Sequence, residues 1–348
     1  MKILIVRFSS FGDVLQTLSV AGRLGESFPQ AEIHWVTRPE YAPLVQTHPR
    51  VKKVWSLPPK SGFEQLLRLA RSLKSEGFTH VYDAHNNLRS HVISWVMNGF
   101  LGWRVWTGQH KFLRRSIYRW RRFLLFKFHR NLFPKPFSGQ FALLEPLAKW
   151  GVPIEAPPVP QLFLGSDWES KARALIPGDF GHFVTLAPSA AFELKRWPLE
   201  HWKKLIQLFP EAKFIVLGGP EDKFLEELVK VDASRVLNLA GKLPLLGSAE
   251  VIALSQALIS NDTGLMHVAE QIGKPCLALM GPAPFGFPSR PHTQIFELDL
   301  QCRPCSKHGQ GPCVNNEFHK CMVDIRPEQV AKGLRRVLDA SLASQVSK

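Results

Sequence analysis

Short apolar runs alternate with amphipathic stretches along this 348-residue chain, and that alternation constrains the fold more than any other feature. In the first half, apolar runs predict strands at 2–6, 32–36, 51–55 and 80–83, with predicted helices at 13–27, 63–76 and 88–101. This rhythm is typical of βαβ units, in which helices cover both faces of a parallel sheet. The sequence therefore predicts an α/β domain of the doubly wound class.

A second series of the same kind follows a proline-rich stretch at 151–165, which breaks the periodicity and is predicted to be a linker. Beyond it, strands are predicted at 183–187, 213–217, 236–239, 257–260 and 276–280, and a final helix at 327–341. We therefore expect two Rossmann-like domains, residues 1–165 and 166–348. Loops that follow the strands are expected to face a cleft between these domains.

Composition narrows the class of protein. A hydrophobic content of 45% with 21% charged residues is typical of a folded globular chain. No apolar run reaches the ~18 residues that a transmembrane helix requires. The apolar run at 3–6 is interrupted by Arg7, which excludes a signal peptide. We expect a cytoplasmic protein.

The basic segment, defined as residues 104–135, carries much of the net charge of +15. It contains ten Lys or Arg residues and no Asp or Glu, and eight aromatic residues are interleaved with them. A block of one sign indicates a polyanionic partner, such as nucleic acid, an anionic membrane or a phosphorylated glycolipid. A solvated helix face with core aromatics behind it is the alternative.

The stretch from Ser260 to His267 combines the signals of an anion-binding turn. Asp262 and Thr263 are good N-cap residues, and Gly264 permits close approach to the backbone. A loop that enters a helix in this way points backbone N–H groups at whatever lies in front of it, which suits phosphate. An ordinary capped helix with a buried His267 explains the local pattern equally well.

The loop after the first strand contains Gly12, which permits a tight turn, and Asp13, which begins the predicted helix. Asp13 is compatible with a plain N-cap or with a general base that faces the cleft. Because the G-x-G-x-x-G spacing is absent, the loop is not a dinucleotide-binding fingerprint.

Two loops of the second half carry further candidates. Small residues and Ser189 precede Lys195 just before a helix, which suits an anion but is also compatible with a basic surface. After the strand at 213–217, Glu221 and Asp222 could accept hydrogen bonds from a ribose diol, or simply belong to a turn.

Taken together, these loops resemble the ADP-heptose:lipopolysaccharide heptosyltransferases of glycosyltransferase family 9. The resemblance covers nearly the whole chain and rests on residues 7–13, 188–197, 218–222 and 262–267. It implies the GT-B fold, in which two Rossmann-like domains face a cleft and the C-terminal one holds most of the donor nucleotide. Position 7 is Arg where some members have Lys, which keeps the positive charge.

The resemblance also implies roles for single residues. Asp13 is expected to be the catalytic base, and Glu221 or Asp222 the ribose contact. The remaining expected ligands of the ADP-sugar donor are Ser189, Lys195, Asp262, Thr263, Gly264 and His267. The expected acceptor-binding residues are Arg7, Ser10, Gly12, Arg114, Arg115, Arg121 and Arg122.

The expected reaction is inverting transfer of a heptose to the phosphorylated inner core of a lipid-anchored saccharide, without a catalytic metal. The protein would then associate peripherally with the inner face of the cytoplasmic membrane, through the basic segment. A relative that uses another nucleotide-sugar or acceptor is the alternative among enzymes. A nucleic-acid-binding protein is an alternative of another class, but no nucleic-acid motif is present and nucleic acid is not the expected partner.

Four cysteines crowd together at Cys302, Cys305, Cys313 and Cys321. In a cytosolic protein such a cluster favours a metal over disulfides, so a structural zinc site is one interpretation. The spacing C-x2-C-x7-C-x7-C is not a standard zinc ribbon, and free or redox-paired thiols are the alternative.

Overall fold

The computed structural model describes residues 1–98 and 111–346. The predicted helix at 88–101 and the basic segment 104–135 therefore extend beyond the described residues. The chain divides into two compact units, here called the first unit (residues 1–118 and 139–163) and the second unit (119–138 and 164–348). Among the described residues, no helix is both long and apolar enough to cross a membrane.

The strands form one parallel sheet in each unit. In the first unit they are β1 (Lys2–Val6), β2 (Glu32–Thr37), β3 (Val51–Ser56), β4 (His80–Asp83) and β5 (Lys111–Arg114), in the order β3-β2-β1-β4-β5. In the second unit they are β6 (Phe183–Ala187), β7 (Lys213–Val216), β8 (Val236–Asn238), β9 (Leu258–Asn261), β10 (Cys276–Leu279) and β11 (Thr293–Phe296), in the order β11-β10-β9-β6-β7-β8.

The helices lie between these strands in the chain. They are α1 (Phe11–Ser27), α2 (Ala42–Gln46), α3 (Phe63–Ser75), α4 (Leu88–Asn98), α5 (Arg119–Phe128), α6 (Gly139–Leu144) and α7 (Ser166–Arg173). They continue as α8 (Leu199–Gln207), α9 (Glu226–Val229), α10 (Leu245–Leu254), α11 (Gly264–Ile272), α12 (Lys320–Val323) and α13 (Pro327–Val346). Two parallel sheets with helical crossovers confirm the predicted fold class.

The packed core of each unit fixes where its loops emerge. In the first unit, Leu4 and Val6 of β1 and Ile93 of α4 are fully or almost fully buried in one cluster. In the second unit, the core includes Leu186 of β6 and Ile259 of β9. Because all strands of a sheet run in the same direction, the loops after β1, β4 and β5 emerge at one edge, as do those after β6, β7, β9 and β10.

The sequence indicated that the whole basic segment belongs to the N-terminal domain, but part of it lies in the second unit. Residues 119–138, with α5, belong to the second unit. The reason is an aromatic cluster in which Phe126, Phe133 and Phe137 surround Phe285, with ring centroids 6.3, 5.1 and 5.1 Å from that ring. Burial of these rings holds the segment on the second unit more strongly than its position in the chain would suggest.

Candidate functional site

Asp13 lies in the first turn of α1, but it is not the N-cap. Helix α1 begins at Phe11, and Ser10 is the N-cap residue of a capping box. The Ser10 hydroxyl donates to Asp13 Oδ2 at 2.8 Å, and its backbone N–H lies 3.4 Å from the same oxygen. The interpretation of Asp13 as a plain N-cap is therefore wrong, because this carboxylate is the third residue of the helix.

Two arginines hold the Asp13 carboxylate. Arg7 Nη2 lies 2.6 Å from Oδ2, and Arg115 Nη1 lies 3.5 Å from Oδ1. Arg7 is buried, and its Nη1 donates to the carbonyl of Ala84 at 2.6 Å. Enclosure by protein would raise the pKa of Asp13, but Arg7, Arg115 and the Ser10 hydrogen bonds outweigh it and hold that pKa well below the ordinary aspartate value. The carboxylate is therefore ionised at any physiological pH.

Asp83, at the end of β4, organises the same edge of the sheet. It is fully buried, and its Oδ1 accepts the backbone N–H groups of His85 and Asn86 at 3.1 and 2.8 Å. Its Oδ2 accepts from Ser90 Oγ at 2.9 Å and from Arg114 Nε at 2.7 Å. Sequence reasoning missed this residue, although a carboxylate at the carboxyl end of a buried strand was the available signal.

Arg114 and Arg115 are neighbours with different surroundings. Arg114 is drawn inward to buried Asp83, so the prediction that it serves the acceptor is not supported. Arg115 is held by its backbone, since Asn86 Nδ2 donates to the Arg115 carbonyl at 2.8 Å, and its side chain reaches Asp13. Of the seven expected acceptor ligands, Arg7, Ser10, Gly12 and Arg115 lie around Asp13.

His85 is a second residue that sequence reasoning missed. Its ring packs edge-on against Phe8 with centroids 5.6 Å apart, and its Nδ1 is buried without a hydrogen-bond partner. Burial and the nearby Arg7 guanidinium lower the pKa of His85 to about 4. The imidazole is therefore neutral beside Asp13 at physiological pH.

The remaining expected acceptor ligands lie on the second unit. Arg121 and Arg122 belong to α5, and the Arg122 guanidinium lies 4.2 Å from the centre of the Phe285 ring. Their assignment to the N-terminal domain is therefore wrong, because the aromatic cluster around Phe285 holds α5 on the second unit. The ring contact positions Arg122 by packing as well as by charge.

In the second unit, Lys195 and Asp262 form an ion pair. Their charged atoms Nζ and Oδ2 lie 2.6 Å apart, with side chains only 14% and 8% exposed. Lys195 follows β6 and Asp262 follows β9, which is why adjacent parallel strands bring them together. The structure thus joins two of the predicted donor ligands, and a ligand phosphate would meet this pair rather than an isolated cation.

Two glycines allow the chain to approach this pair closely. Gly286 has φ +93°, and a Cβ there would lie 3.0 Å from Asp262 Oδ1. Gly309 has φ +84°, and a Cβ there would lie 2.8 Å from Lys195 Cγ. Since a side chain would be strained at either position and would press on the ion pair, both positions favour glycine.

Asn261 ties the loop after β6 to the loop after β9. It is fully buried, its Nδ2 donates to the Pro188 carbonyl at 2.6 Å, and its Oδ1 accepts from the Trp197 N–H at 3.1 Å. The loop that carries Ser189 and Lys195 is therefore fixed at both ends by one side chain. Ser189 itself is partly exposed on that loop.

Helix α11 begins at Gly264, and Thr263 is its N-cap, with Oγ1 accepting from the Leu265 N–H at 3.2 Å. The interpretation of this stretch as a capped helix with a buried His267 is therefore confirmed. The helix terminus also points backbone donors outward beside Asp262, so the cap and an anion site are compatible.

Glu270 fixes the imidazole of His267. Glu270 Oε2 lies 2.8 Å from His267 Nδ1, and both side chains are buried. The other oxygen, Oε1, accepts the backbone N–H groups of Ser289 and Arg290, the latter at 2.9 Å. Glu270 was missed in the sequence, where its spacing of three residues from His267 on one helix was the signal.

The two candidates for a ribose contact differ in their surroundings. Asp222 is buried, and its Oδ2 accepts the N–H of Gly219 at 2.8 Å, so it stabilises its own turn. Glu221 is exposed on the same turn after β7. The geometry therefore favours Glu221 for an external diol.

The cysteine-rich loop packs on the residues that hold Lys195. His319 Nε2 lies 2.8 Å from the Leu194 carbonyl, and the His319 N–H donates to Cys313 Sγ at 3.3 Å. Within residues 1–98 and 111–346, no three His, Cys, Asp or Glu side chains converge to hold a metal ion.

The four thiols therefore do not form a preformed zinc site, and the structural-zinc interpretation is not supported. All five cysteines, Cys276 included, are free thiols. In this structure the loop instead supports Lys195 through Gly309 and His319.

Solved structures share the whole architecture. A glycosyl transferase of family 9 from Veillonella parvula matches with a TM-score of 0.77 at 20% identity over 97% of each chain. The ADP-heptose LPS heptosyltransferase II of Escherichia coli matches with a TM-score of 0.70 at 22% identity, over 98% of this chain and 99% of that one. The fold is therefore that of the GT-B glycosyltransferases.

Sequence comparison gives the family. Lipooligosaccharide heptosyltransferase 2 of Haemophilus ducreyi is 25% identical over 358 residues, which is 97% of this chain and 99% of that protein. The model of glycosyltransferase family 9 (heptosyltransferase) matches residues 66–312. This chain belongs to glycosyltransferase family 9, and it is a glycosyltransferase.

Proposed function

We propose that the protein transfers a heptose from ADP-heptose to the inner core of lipopolysaccharide, with inversion at the anomeric carbon. The observation that carries this proposal is the Lys195–Asp262 ion pair, largely shielded from solvent at the N-terminus of α11, an arrangement suited to a diphosphate. The Escherichia coli neighbour is described as an ADP-heptose enzyme, which supports the choice of donor.

The reaction balances as a single displacement. The acceptor oxygen forms a bond to the anomeric carbon while the bond from that carbon to the diphosphate oxygen breaks, and ADP leaves with the electron pair. The acceptor proton passes to Asp13, which is ionised and ready to receive it. Lys195 and the N–H groups at the start of α11 stabilise the charge that develops on the departing diphosphate.

The same arginines that keep Asp13 ionised also weaken it as a base. We propose that the acceptor relieves this restraint. Arg115 makes the longer contact, 3.5 Å against 2.6 Å for Arg7, and is the guanidinium that can turn to an anionic group of the acceptor. With one cation withdrawn, the proton affinity of Asp13 would rise during turnover.

Helix α5 is proposed to contact the anionic acceptor and the inner face of the cytoplasmic membrane. Trp120, Phe123 and Phe128 are exposed on this helix, while Leu125 is buried. Its exposed cations include Arg119 and Lys127. Exposed aromatic rings with cations suit the headgroup region of an anionic bilayer. Charge reversal of Arg119 and Lys127 together is expected to weaken binding to acceptor vesicles at low salt, and unchanged binding would contradict this role.

A nucleotide panel tests the donor. Thermal shifts with ADP, UDP and GDP are expected to show stabilisation by ADP alone, whereas stabilisation by UDP or GDP would indicate a relative with another donor. If RNA or DNA stabilises the chain and none of the three nucleotides does, the assignment of this site to a nucleotide-sugar is contradicted.

Replacement of Asp13 by Asn tests the base. Turnover is expected to fall by roughly 10²-fold or more while ADP binding is retained, because the proposed nucleotide ligands lie on the second unit. Near-wild-type turnover would remove Asp13 from the base role. The anomeric configuration of donor and product, compared by NMR, tests inversion: the product is expected to have the opposite configuration to the donor, and the same configuration in both would contradict it.

A further inference from the structure

An apolar groove lies on the first unit, and its lining residues, all within 61–96, do not include Asp13 or the residues that contact it. Its lining comes from α3, α4 and the residues before α3, and its volume is about 610 Å³. Its lining includes Phe63, Leu67, Leu88, Trp95 and Arg89. Leu67 packs against the core beneath, so the groove has a firm floor.

Three large apolar side chains of this groove face solvent. Phe63 is 66% exposed, Leu88 75% and Trp95 43%. Single exposed hydrophobic residues are common, but a cluster around an apolar groove marks an interaction surface. Trp95 packs edge-on against His91, with ring centroids 6.2 Å apart, and still keeps 43% of its surface exposed.

The charge of the two helices that line the groove indicates the kind of partner. Helices α3 and α4 together carry four cations, Arg68, Arg71, Lys74 and Arg89, against the single carboxylate of Glu64. That carboxylate is already paired with Arg68 at 3.4 Å. A second copy of this chain would oppose cations to cations, whereas an anionic lipid surface complements them.

We propose that the groove between α3 and α4 is a membrane-docking surface, which inserts Phe63, Leu88 and Trp95 among the acyl chains of anionic phospholipids. Arg89, which lines the groove and donates to the Pro59 carbonyl at 2.5 Å, lies where a lipid phosphate would meet the apolar floor. Tryptophan with cations at one surface is the composition that the bilayer interface favours. This inference extends the proposed action on a lipid-linked acceptor, and it assigns a second lipid contact besides α5.

Vesicle co-sedimentation of the full chain, without donor or acceptor, tests the proposal. The probes are vesicles of phosphatidylglycerol mixed with phosphatidylcholine and vesicles of phosphatidylcholine alone. We expect the triple variant Phe63→Ser, Leu88→Ser, Trp95→Ser to bind the anionic vesicles at least about tenfold more weakly, because each exposed side chain contributes apolar area to the contact. A matched control, Leu175→Ser with Phe318→Ser, removes exposed apolar residues of the second unit and should bind like the wild type.

Wild-type binding by the triple variant would overturn the proposal. So would equal loss in the Leu175 and Phe318 control, since the effect would then not be specific to the groove. If sedimentation velocity shows that the triple variant abolishes a dimer while vesicle binding persists, the groove is a self-association surface instead. Turnover on a water-soluble, deacylated acceptor is measured in parallel and is expected to be unchanged. Because vesicle binding needs no substrate, its failure is distinguishable from failure of the proposed transfer reaction.

Discussion

The Lys195–Asp262 ion pair predicts a specific pattern of stability and binding when each partner is removed. At 2.6 Å and an effective dielectric constant of about 20, the gross attraction is roughly 6 kcal/mol, and desolvation of two nearly buried groups offsets much of it. Breaking such a pair by removing one partner costs about 3–5 kcal/mol, because the other charge stays buried and uncompensated.

Lys195→Met should therefore lower the free energy of unfolding by about 3–5 kcal/mol, because the Asp262 carboxylate, only 8% exposed, would lose its cation and remain largely desolvated. Asp262→Asn should cost less, since the longer lysine side chain can shift its ammonium group toward solvent. The double variant Lys195→Met, Asp262→Asn should recover most of the loss, because it contains no unpaired charge. Donor binding should not recover, because the cation and the carboxylate are both gone.

Urea unfolding gives the stabilities, and calorimetric titration with ADP gives the affinities. The reasoning is refuted if Lys195→Met is as stable as the wild type, or if the double variant binds ADP with wild-type affinity. The first result would mean that the pair is not buried in solution, and the second that these residues do not bind the donor. Lys203→Met is a matched control, since that lysine pairs at the surface with Glu200 and its removal should cost no more than ~1 kcal/mol.

Three further predictions concern residues that position the site. Asp83→Asn should lower the free energy of unfolding by about 2–4 kcal/mol, because the buried carboxylate accepts four hydrogen bonds. It should also raise KM for the acceptor but not for the donor, and an unchanged acceptor KM would contradict the positioning role of Asp83. Glu270→Ala should weaken both ADP-sugar binding and stability, because the Ser289 and Arg290 N–H groups would lose their acceptor. Glu270→Gln can still accept these hydrogen bonds and should retain most of the stability. Equal loss of stability in both variants would contradict this role of Glu270. His85 should titrate near pH 4 by NMR, and a measured pKa above 6 would contradict the burial of its ring beside Arg7. Because this folded-state pKa lies below that of the unfolded chain, the stability that His85 contributes should be complete above about pH 6.5 and should fall toward pH 4. His85→Gln should therefore flatten the dependence of the unfolding free energy on pH in that window.

Periodicity made most of the fold predictable. Strands such as β1 and β9 are short continuous apolar runs, and buried parallel strands require that pattern. Strand β5 was missed because it lies inside the basic segment. Its two apolar residues, Phe112 and Leu113, are flanked by Lys111 and Arg114, so the apolar run is too short to recognise. Strand β11 was missed because its side chains are only partly buried and its apolar pattern is weak.

The loops with special residue types were also predictable, but their partners were not. The sequence placed Lys195 and Asp262 in separate loops, and only the order of strands β6 and β9 brings the two side chains together. Asp222 could not be told from Glu221, since either can cap a turn, and the structure distinguishes them by burial. The position of α5 on the second unit depends on ring packing around Phe285, which is a long-range contact that local pattern does not encode.

The most direct test of the account is nucleoside diphosphate release by the purified chain, measured with ADP-heptose, ADP-glucose and UDP-glucose in the presence and absence of a heptose-deficient lipopolysaccharide acceptor. The account predicts ADP release from ADP-heptose only when the acceptor is present, and its loss by roughly 10²-fold or more in Asp13→Asn. Release at the same rate without acceptor, from UDP-glucose, or by the Asp13→Asn variant would contradict it.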